Sequence, residues 1–129
     1  MELNSKALAE YILTLSGTDV RRCMQCGRCS AACPAAEAMD LLPHRMVWEA
    51  ICGHGDELLA AAAPWSCVSC MACEQRCPRG VSPAAVMEAA RLAAIRRQGG
   101  NRLAAEQLER YPAEMPQQAL VAAFRKYNK

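Results

Sequence analysis

"CMQCGRCSAACP", residues 23–34, sets four cysteines at offsets of three, three and four and follows the last with proline. Residues 67–78, "CVSCMACEQRCP", repeat the spacing, proline included, so that Cys23, Cys26, Cys29 and Cys33 recur as Cys67, Cys70, Cys73 and Cys77. Outside these runs the two halves resemble each other little. The duplication is therefore one of a metal site, not a solenoid repeat, and it predicts two loops in a pseudo-twofold arrangement.

The spacing selects the metal. A cubane cluster needs four thiolates converging from different directions, and cysteines three apart on a loop reach three of its corners. In the run C-x2-C-x2-C-x3-C-P of two-cluster proteins, the fourth cysteine ligates the other cluster. That rule assigns Cys23, Cys26, Cys29 and Cys77 to one 4Fe-4S cluster, and Cys67, Cys70, Cys73 and Cys33 to a second. Proline after the fourth cysteine biases Cys33 and Cys77 toward extended backbone, which lets each leave its own loop. Structural zinc also uses C-x2-C pairs, but separates its two pairs by a dozen or more residues. The C-x4-C-x2-C spacing of plant-type 2Fe-2S proteins is absent.

Around the thiols, Gly27, Ser30, Ala31 and Ala72 are small enough for backbone N–H groups to approach a cluster, and Met24, Val68 and Met71 are candidates to shield it. Two clusters with their thiolates move the formal charge from +2 to roughly −2. Arg21, Arg22, Arg28, Arg76 and Arg79 flank the runs and either offset that charge or serve as solvated surface residues. Cys52, the ninth thiol, reads as a small buried hydrophobe, and His44 and His54 as helix-end residues rather than ligands.

Length and composition limit the rest. A chain of 129 residues has the size of one module, and its apolar content of 53% is mostly small residues, with two Trp, three Tyr and one Phe. Such a core is expected to need a staple. Acidic and basic residues are interspersed, which gives no face for nucleic acid. Glu2 stands where an export signal would be basic, and the longest apolar stretch, "LLAAAAPW" from Leu58, is far below the roughly 20 residues that cross a bilayer. These features predict a cytoplasmic chain without direct membrane insertion, whose cysteines stay reduced and serve as ligands.

The pattern between the runs is helical throughout, and the class is all-α. Leu3, Ala7, Leu8, Tyr11, Ile12 and Leu15 share a face of a helix that Asn4 starts and Gly17 stops. Pro43 opens a second, striped by Met46, Val47, Ala50 and Ile51 and ended by "GHG" at 53–55. Asp56 is expected to cap a short helix running to Ala63, stopped by Pro64. A longer helix has Ser82 as cap, Pro83 in its first turn, Val86, Ala90 and Ala93 inward, and Gly99 and Gly100 at its end. Beyond residue 100 the chain becomes more polar. Leu103, Gln107, Leu108 and Tyr111 stripe one helix and Leu120, Ala123, Phe124 and Tyr127 another. The expected organisation is a dicluster domain over 1–100 and a helical extension over 101–129 that folds back or docks on a partner.

With both runs placed, "CMQCGRCSAACP", "PHRMVWEAI" and "PWSCVSCMACEQRCPRGVSP" together resemble the C-type component of heterodisulfide reductases and its bacterial relatives, over about residues 8–98. The resemblance implies the α-helical ferredoxin fold and an electron-transfer subunit. It would pass electrons between a flavin-containing A-type subunit and a B-type subunit whose CCG motifs hold the disulfide-reducing centre. This chain has no CCG repeat, no glycine-rich dinucleotide loop and no acid–base pair of its own. Two alternatives stay open at this level: the iron-sulfur subunit of a membrane-associated, quinone-linked oxidoreductase, and a free-standing dicluster ferredoxin.

Overall fold

A computed structural model describes residues 4–95 and 114–125, and every regular element among them is helical. The chain divides into two compact units, Met1–Ile95 and Arg96–Lys129.

The first unit begins with α1, Ser5–Ser16, whose ends follow from the sequence. Asn4 Oδ1 accepts the Ala7 N–H at 2.8 Å, satisfying one of the donors that a helix start leaves open. Gly17 ends the helix with φ 64°, a left-handed conformation that glycine adopts without steric cost. Two short helices, α2 (Arg28–Ala31) and α6 (Ala72–Gln75), sit within the cysteine runs. Between them come α3 (Pro43–Cys52), α4 (Gly55–Ala60) and α5 (Ala63–Ser66), and α7 (Pro83–Ile95) follows the second run. Helix α1 packs on α4 and α7, and α3 packs on α7. Their shared core holds Ile12, Met46, Val47, Leu58, Val81, Val86 and Met87, all essentially without solvent exposure. Cys23, Cys67 and Cys77 pack against the edge of this core, which ties the cysteine loops to the helices.

Four local expectations change. Helix α1 buries Ala9 with Ile12 and leaves Leu15 41% exposed, because it packs on α3, α4 and α7 together. Ile51, expected inward on α3, is exposed, while Glu49 on the same helix is buried with an acceptor oxygen 2.6 Å from His54 Nδ1. Asp56 is not a cap. Helix α4 starts one residue earlier, at Gly55, and the Asp56 N–H is satisfied by Ser5 Oγ of α1 at 3.1 Å. Helix α4 also stops at Ala60, and Pro64 lies in the first turn of α5, where a missing N–H costs nothing. Asp40 supplies the start of α5: Oδ2 accepts from Ala62 N and Oδ1 from Ala63 N, both at 2.7 Å. At the head of α7, the Ser82 hydroxyl accepts from Ala85 N at 3.3 Å and donates to Glu74 Oε2 at 2.8 Å. The Ser82 N–H reaches back to Thr18 Oγ1 at 3.0 Å.

In the second unit α8 spans Gln117–Arg125, with Leu120 half-buried and Val121 52% exposed. The helix expected from Leu103 to Tyr111, the stop at Gly99 and Gly100, the boundary at residue 100, and the contributions of Leu3 and Tyr127 lie outside the described residues.

Gly55 fixes how closely α4 meets α1. A Cβ there would fall 2.6 Å from Ala9 N and 2.7 Å from Leu8 Cβ, and nearer still to the Ser5 carbonyl oxygen. Gly55→Ala is therefore expected to destabilise the fold by roughly 1–3 kcal/mol or more through overpacking, read as a lower denaturant midpoint. An unchanged midpoint would contradict so close a crossing.

The N–H bonds to Asp40 from Ala62, Leu41 (2.8 Å) and Ala63, led by that from Ala62, hold its carboxyl below the usual carboxylate range. A depressed folded pKa contributes stability above the unfolded value of about 4 and loses it as pH falls through the folded one. Asp40→Asn is thus expected to unfold at lower denaturant than the parent at pH 7. The gap should close as the pH drops below about 4, and a gap independent of pH would show that charge on Asp40 plays no part.

Candidate metal centre

The two cysteine runs repeat in backbone as well as in spacing. Gln25 (φ 56°) and Gly27 (φ 77°) are left-handed in the first run, and Ser69 (φ 54°) and Met71 (φ 61°) occupy the equivalent positions in the second. Each second left-handed residue is the N-cap of a four-residue helix, α2 or α6, that carries the third cysteine. Two reversals in each run turn the cysteine side chains toward a common centre. Glycine accepts this geometry freely in the first run; Gln25, Ser69 and Met71 adopt it against their side-chain preference, a cost of roughly 1–2 kcal/mol each. Helices α2 and α6 touch each other, so the loops lie side by side.

Two cavities open beside these loops. Cys23, Cys26, Cys29 and Cys77 line one, together with His44, Val47, Arg79 and Val81, around about 370 Å³ of space counted to its open mouth. Cys33, Cys67, Cys70 and Cys73 line the other, with Met39, Pro43, Ala84 and Met87, around about 360 Å³. Each cavity thus takes three thiols from one run and one from the other. Pro83 contributes to both walls. The first turn of α3 is divided in the same way, with Pro43 on one side and His44 on the other.

The electrostatics suit a negative guest. The N-terminal turns of α3 and α7 abut the cavities, turning the positive ends of their dipoles toward the thiols. Burial pushes the Cys29 thiol up from its ordinary range, partly countered by hydrogen bonding with Ser30. Burial likewise raises Cys73, and its neighbours Cys67 and Cys29 add to the effect. Such thiols give up their protons when a cation replaces them. Sulfur also receives donors: Gln25 donates to Cys23 Sγ from its backbone N at 3.4 Å and from Nε2 at 3.3 Å, and Val81 N donates to Cys77 Sγ at 3.3 Å. Four soft thiol donors around a volume, with apolar walls and N–H groups aimed at sulfur, fit a 4Fe-4S cluster in each cavity.

Some residues stand elsewhere than expected. Met24, Val68 and Met71 line the cavities but are 51%, 67% and 44% exposed, so they sit at the rims and do not seal them. Cys52 is exposed, not buried, and belongs to neither lining. Arg21, Arg22, Arg28, Arg76 and Arg79 are all exposed, and only Arg79 reaches a cavity wall. Ser30 serves by its hydroxyl as well as its size: Oγ lies 2.7 Å from His44 Nδ1 and accepts the His44 N–H at 3.1 Å. Sequence reasoning missed Gln25, whose amide also donates to the His44 carbonyl at 3.1 Å. It also missed Arg91, which reaches back from α7 to the carbonyls of Pro64 (2.8 Å) and Cys67 (3.0 Å) and to Ser69 Oγ (3.0 Å). Neither carries a motif signal: Arg91 acts on a distant loop, and Gln25, although inside the first run, is oriented by its contact with the His44 carbonyl across the fold.

Comparison with known proteins agrees with this chemistry. Residues 19–81 match the family described as "4Fe-4S dicluster domain". The chain is similar to a protein of Archaeoglobus profundus named as like the C-type component of heterodisulfide reductase, 41% identical over 87 residues, covering 67% of this chain and 46% of the relative. It is similar also to the C-type component of the ferredoxin:CoB-CoM heterodisulfide reductase of Methanosarcina acetivorans, 37% identical over 94 residues, 70% of this chain and 38% of the relative. A third relative is the C-type component of the H(2):CoB-CoM heterodisulfide,ferredoxin reductase of Methanothermobacter thermautotrophicus, 33% identical over 86 residues, 67% and 46% of the two chains. The matched part spans less than half the length of each of these relatives. Taken with eight thiols gathered four to a cavity, the match identifies an all-helical 4Fe-4S dicluster domain in residues 19–81, with two 4Fe-4S clusters as its cofactors.

Proposed function

We propose that this chain is the electron-transfer subunit of a heterodisulfide reductase-like complex in the cytoplasm, relaying electrons between a flavin-containing A-type subunit and a CCG-motif B-type subunit. In this reading Cys23, Cys26, Cys29 and Cys77 hold one cluster, and Cys67, Cys70, Cys73 and Cys33 the other, the two loops being related by a pseudo-twofold. The observation that carries the ligand sets is the composition of the cavity walls, three thiols of one run with the fourth of the other. Similarity to proteins named as the C-type component of such reductases supports the role. Residues 1–100 would then be the dicluster domain and 101–129 an extension available for docking.

The chain's residues are suited to a relay. Bound 4Fe-4S clusters supply reversible one-electron chemistry at potentials set by charge, hydrogen bonds to sulfur and exposure. The cysteines anchor that chemistry on a helical core whose contacts do not need to rearrange. Pro83, in both walls, keeps the two cavities adjacent. Cys26 and Cys70 are exposed, which leaves each cavity a side open to a partner.

Two experiments test the reading. Cys33→Ser should damage the same cluster as Cys70→Ser, and Cys77→Ser the same cluster as Cys26→Ser, judged by iron content and the EPR signals of the reduced protein. The opposite pairing would refute the exchange of fourth ligands. Anoxic affinity purification of the chain from its own host should retain a flavoprotein and a CCG-motif protein in fixed ratio. A cytochrome or membrane anchor would instead assign the chain to a membrane-associated oxidoreductase, and a solitary chain with about eight irons to a free-standing ferredoxin.

A further inference from the structure

The two cavities are alike in thiols and unlike in what reaches those thiols. On the first run's side, three N–H groups donate to sulfur: Gln25 N and Gln25 Nε2 to Cys23 Sγ, and Val81 N to Cys77 Sγ. On the second run's side the sulfur donors are backbone groups: the Ala84 and Glu74 N–H groups hydrogen-bond the Cys73 thiol, and among the described residues no side-chain donor reaches the Sγ atoms of Cys33, Cys67, Cys70 or Cys73. The contrast is sharpest at equivalent positions. Gln25 and Ser69 share the left-handed backbone, but Ser69 has no amide, and its hydroxyl is engaged by Arg91 Nη2 at 3.0 Å.

The Gln25 amide is fixed in the donating orientation. Its Nε2 faces two acceptors, Cys23 Sγ at 3.3 Å and the His44 carbonyl at 3.1 Å. Turning the amide over would set its oxygen against both, so the hydrogen-bond network decides the assignment. The His44 backbone is itself held, since its N–H donates to Ser30 Oγ, which also meets His44 Nδ1. The Gln25 side chain is thus gripped between the loop that carries Cys23 and the first turn of α3.

A donor on a ligand sulfur withdraws electron density from it and favours the more negative, reduced state; in a partly desolvated site such a charge-assisted bond is stronger than a neutral one. Full charges do not separate the two sites as cleanly. Arg79 borders the first cavity, and Arg91 lies near the second with its guanidinium on two carbonyls and a hydroxyl. We infer that Gln25, through its side-chain N–H to Cys23 Sγ, gives the cluster held by Cys23, Cys26 and Cys29 the higher reduction potential of the two. On one-electron reduction the electron then rests on that side. The inference rests on the proposed ligand role of Cys23 but not on the exchange of fourth ligands, since Cys23, Cys26 and Cys29 share a cluster under either pairing.

The test is an EPR-monitored anoxic titration of the full chain with dithionite. Cys26→Ser and Cys70→Ser assign the two signals to the first and second runs. The wild type should reduce the first-run cluster first. Gln25→Met, similar in length and without a donor, should keep wild-type iron content, move the first-run midpoint to more negative potential and leave the second where it was. A first-run midpoint that stays put in iron-replete Gln25→Met, or one below the second-run midpoint in the wild type, overturns the inference. Should Gln25→Met lose iron, Gln25→Leu, which also lacks the donor and adds no charge, is read the same way; loss of iron in both makes Gln25 a structural brace and equally overturns it. A failure of the ligand exchange would show separately, in the pairing of the Cys33→Ser and Cys77→Ser phenotypes.

Discussion

Four thiols must converge on each of two adjacent cavities, and the helices, loops and polar contacts of this molecule are organised around that convergence. Thiols brought together repel one another once ionised and are costly to desolvate, and burial already raises Cys29 and Cys73. Iron bound in place of the thiol protons would turn the same convergence into a bonded site. The helices are arranged to hold that geometry. Helices α3 and α7 bring their N-terminal turns to the cavities, while α1 and α4 brace the far side through the close crossing at Gly55.

A core built this way can be small. Its buried residues include many alanines, Ala9, Ala50, Ala61, Ala63, Ala84, Ala89, Ala90 and Ala93, which let helices approach closely but bury little area apiece. Short-range polar contacts complete the positioning. Asp40 anchors the start of α5 ahead of Cys67, Ser82 joins α7 to Glu74 and to Thr18, and Arg91 ties α7 to the second run. Each links segments far apart in sequence and acts on a cysteine loop or its approach.

The duplication has not made the two sites equivalent. Their backbones repeat at the left-handed positions and at the short helices, which is what ligation by three closely spaced cysteines demands. The side chains that surround the thiols have no such demand on them and differ: an amide and a histidine on one side, a serine held by an arginine on the other.

The eight candidate thiols, the all-helical class and most helix ends were legible in the residues alone, because these depend on local chemistry: cysteine spacing, the Asn4 and Ser82 caps, the prolines at helix starts and the glycines at 17 and 53. Features that depend on neighbours were misjudged. Asp56 looked like a cap until Ser5 took its N–H, Pro64 looked like a stop until Asp40 began a new helix before it, and Ala9 became core because α4 crosses α1 there. Folding in three dimensions was needed to place Met24, Val68 and Met71 at the rims, to set the Gln25 amide on the His44 carbonyl and to bring Arg91 onto the second loop. The difference is one of range. Spacing and capping act within a turn or two of chain, whereas convergence on a cavity, burial and hydrogen bonds between segments are properties of surfaces that meet only after folding.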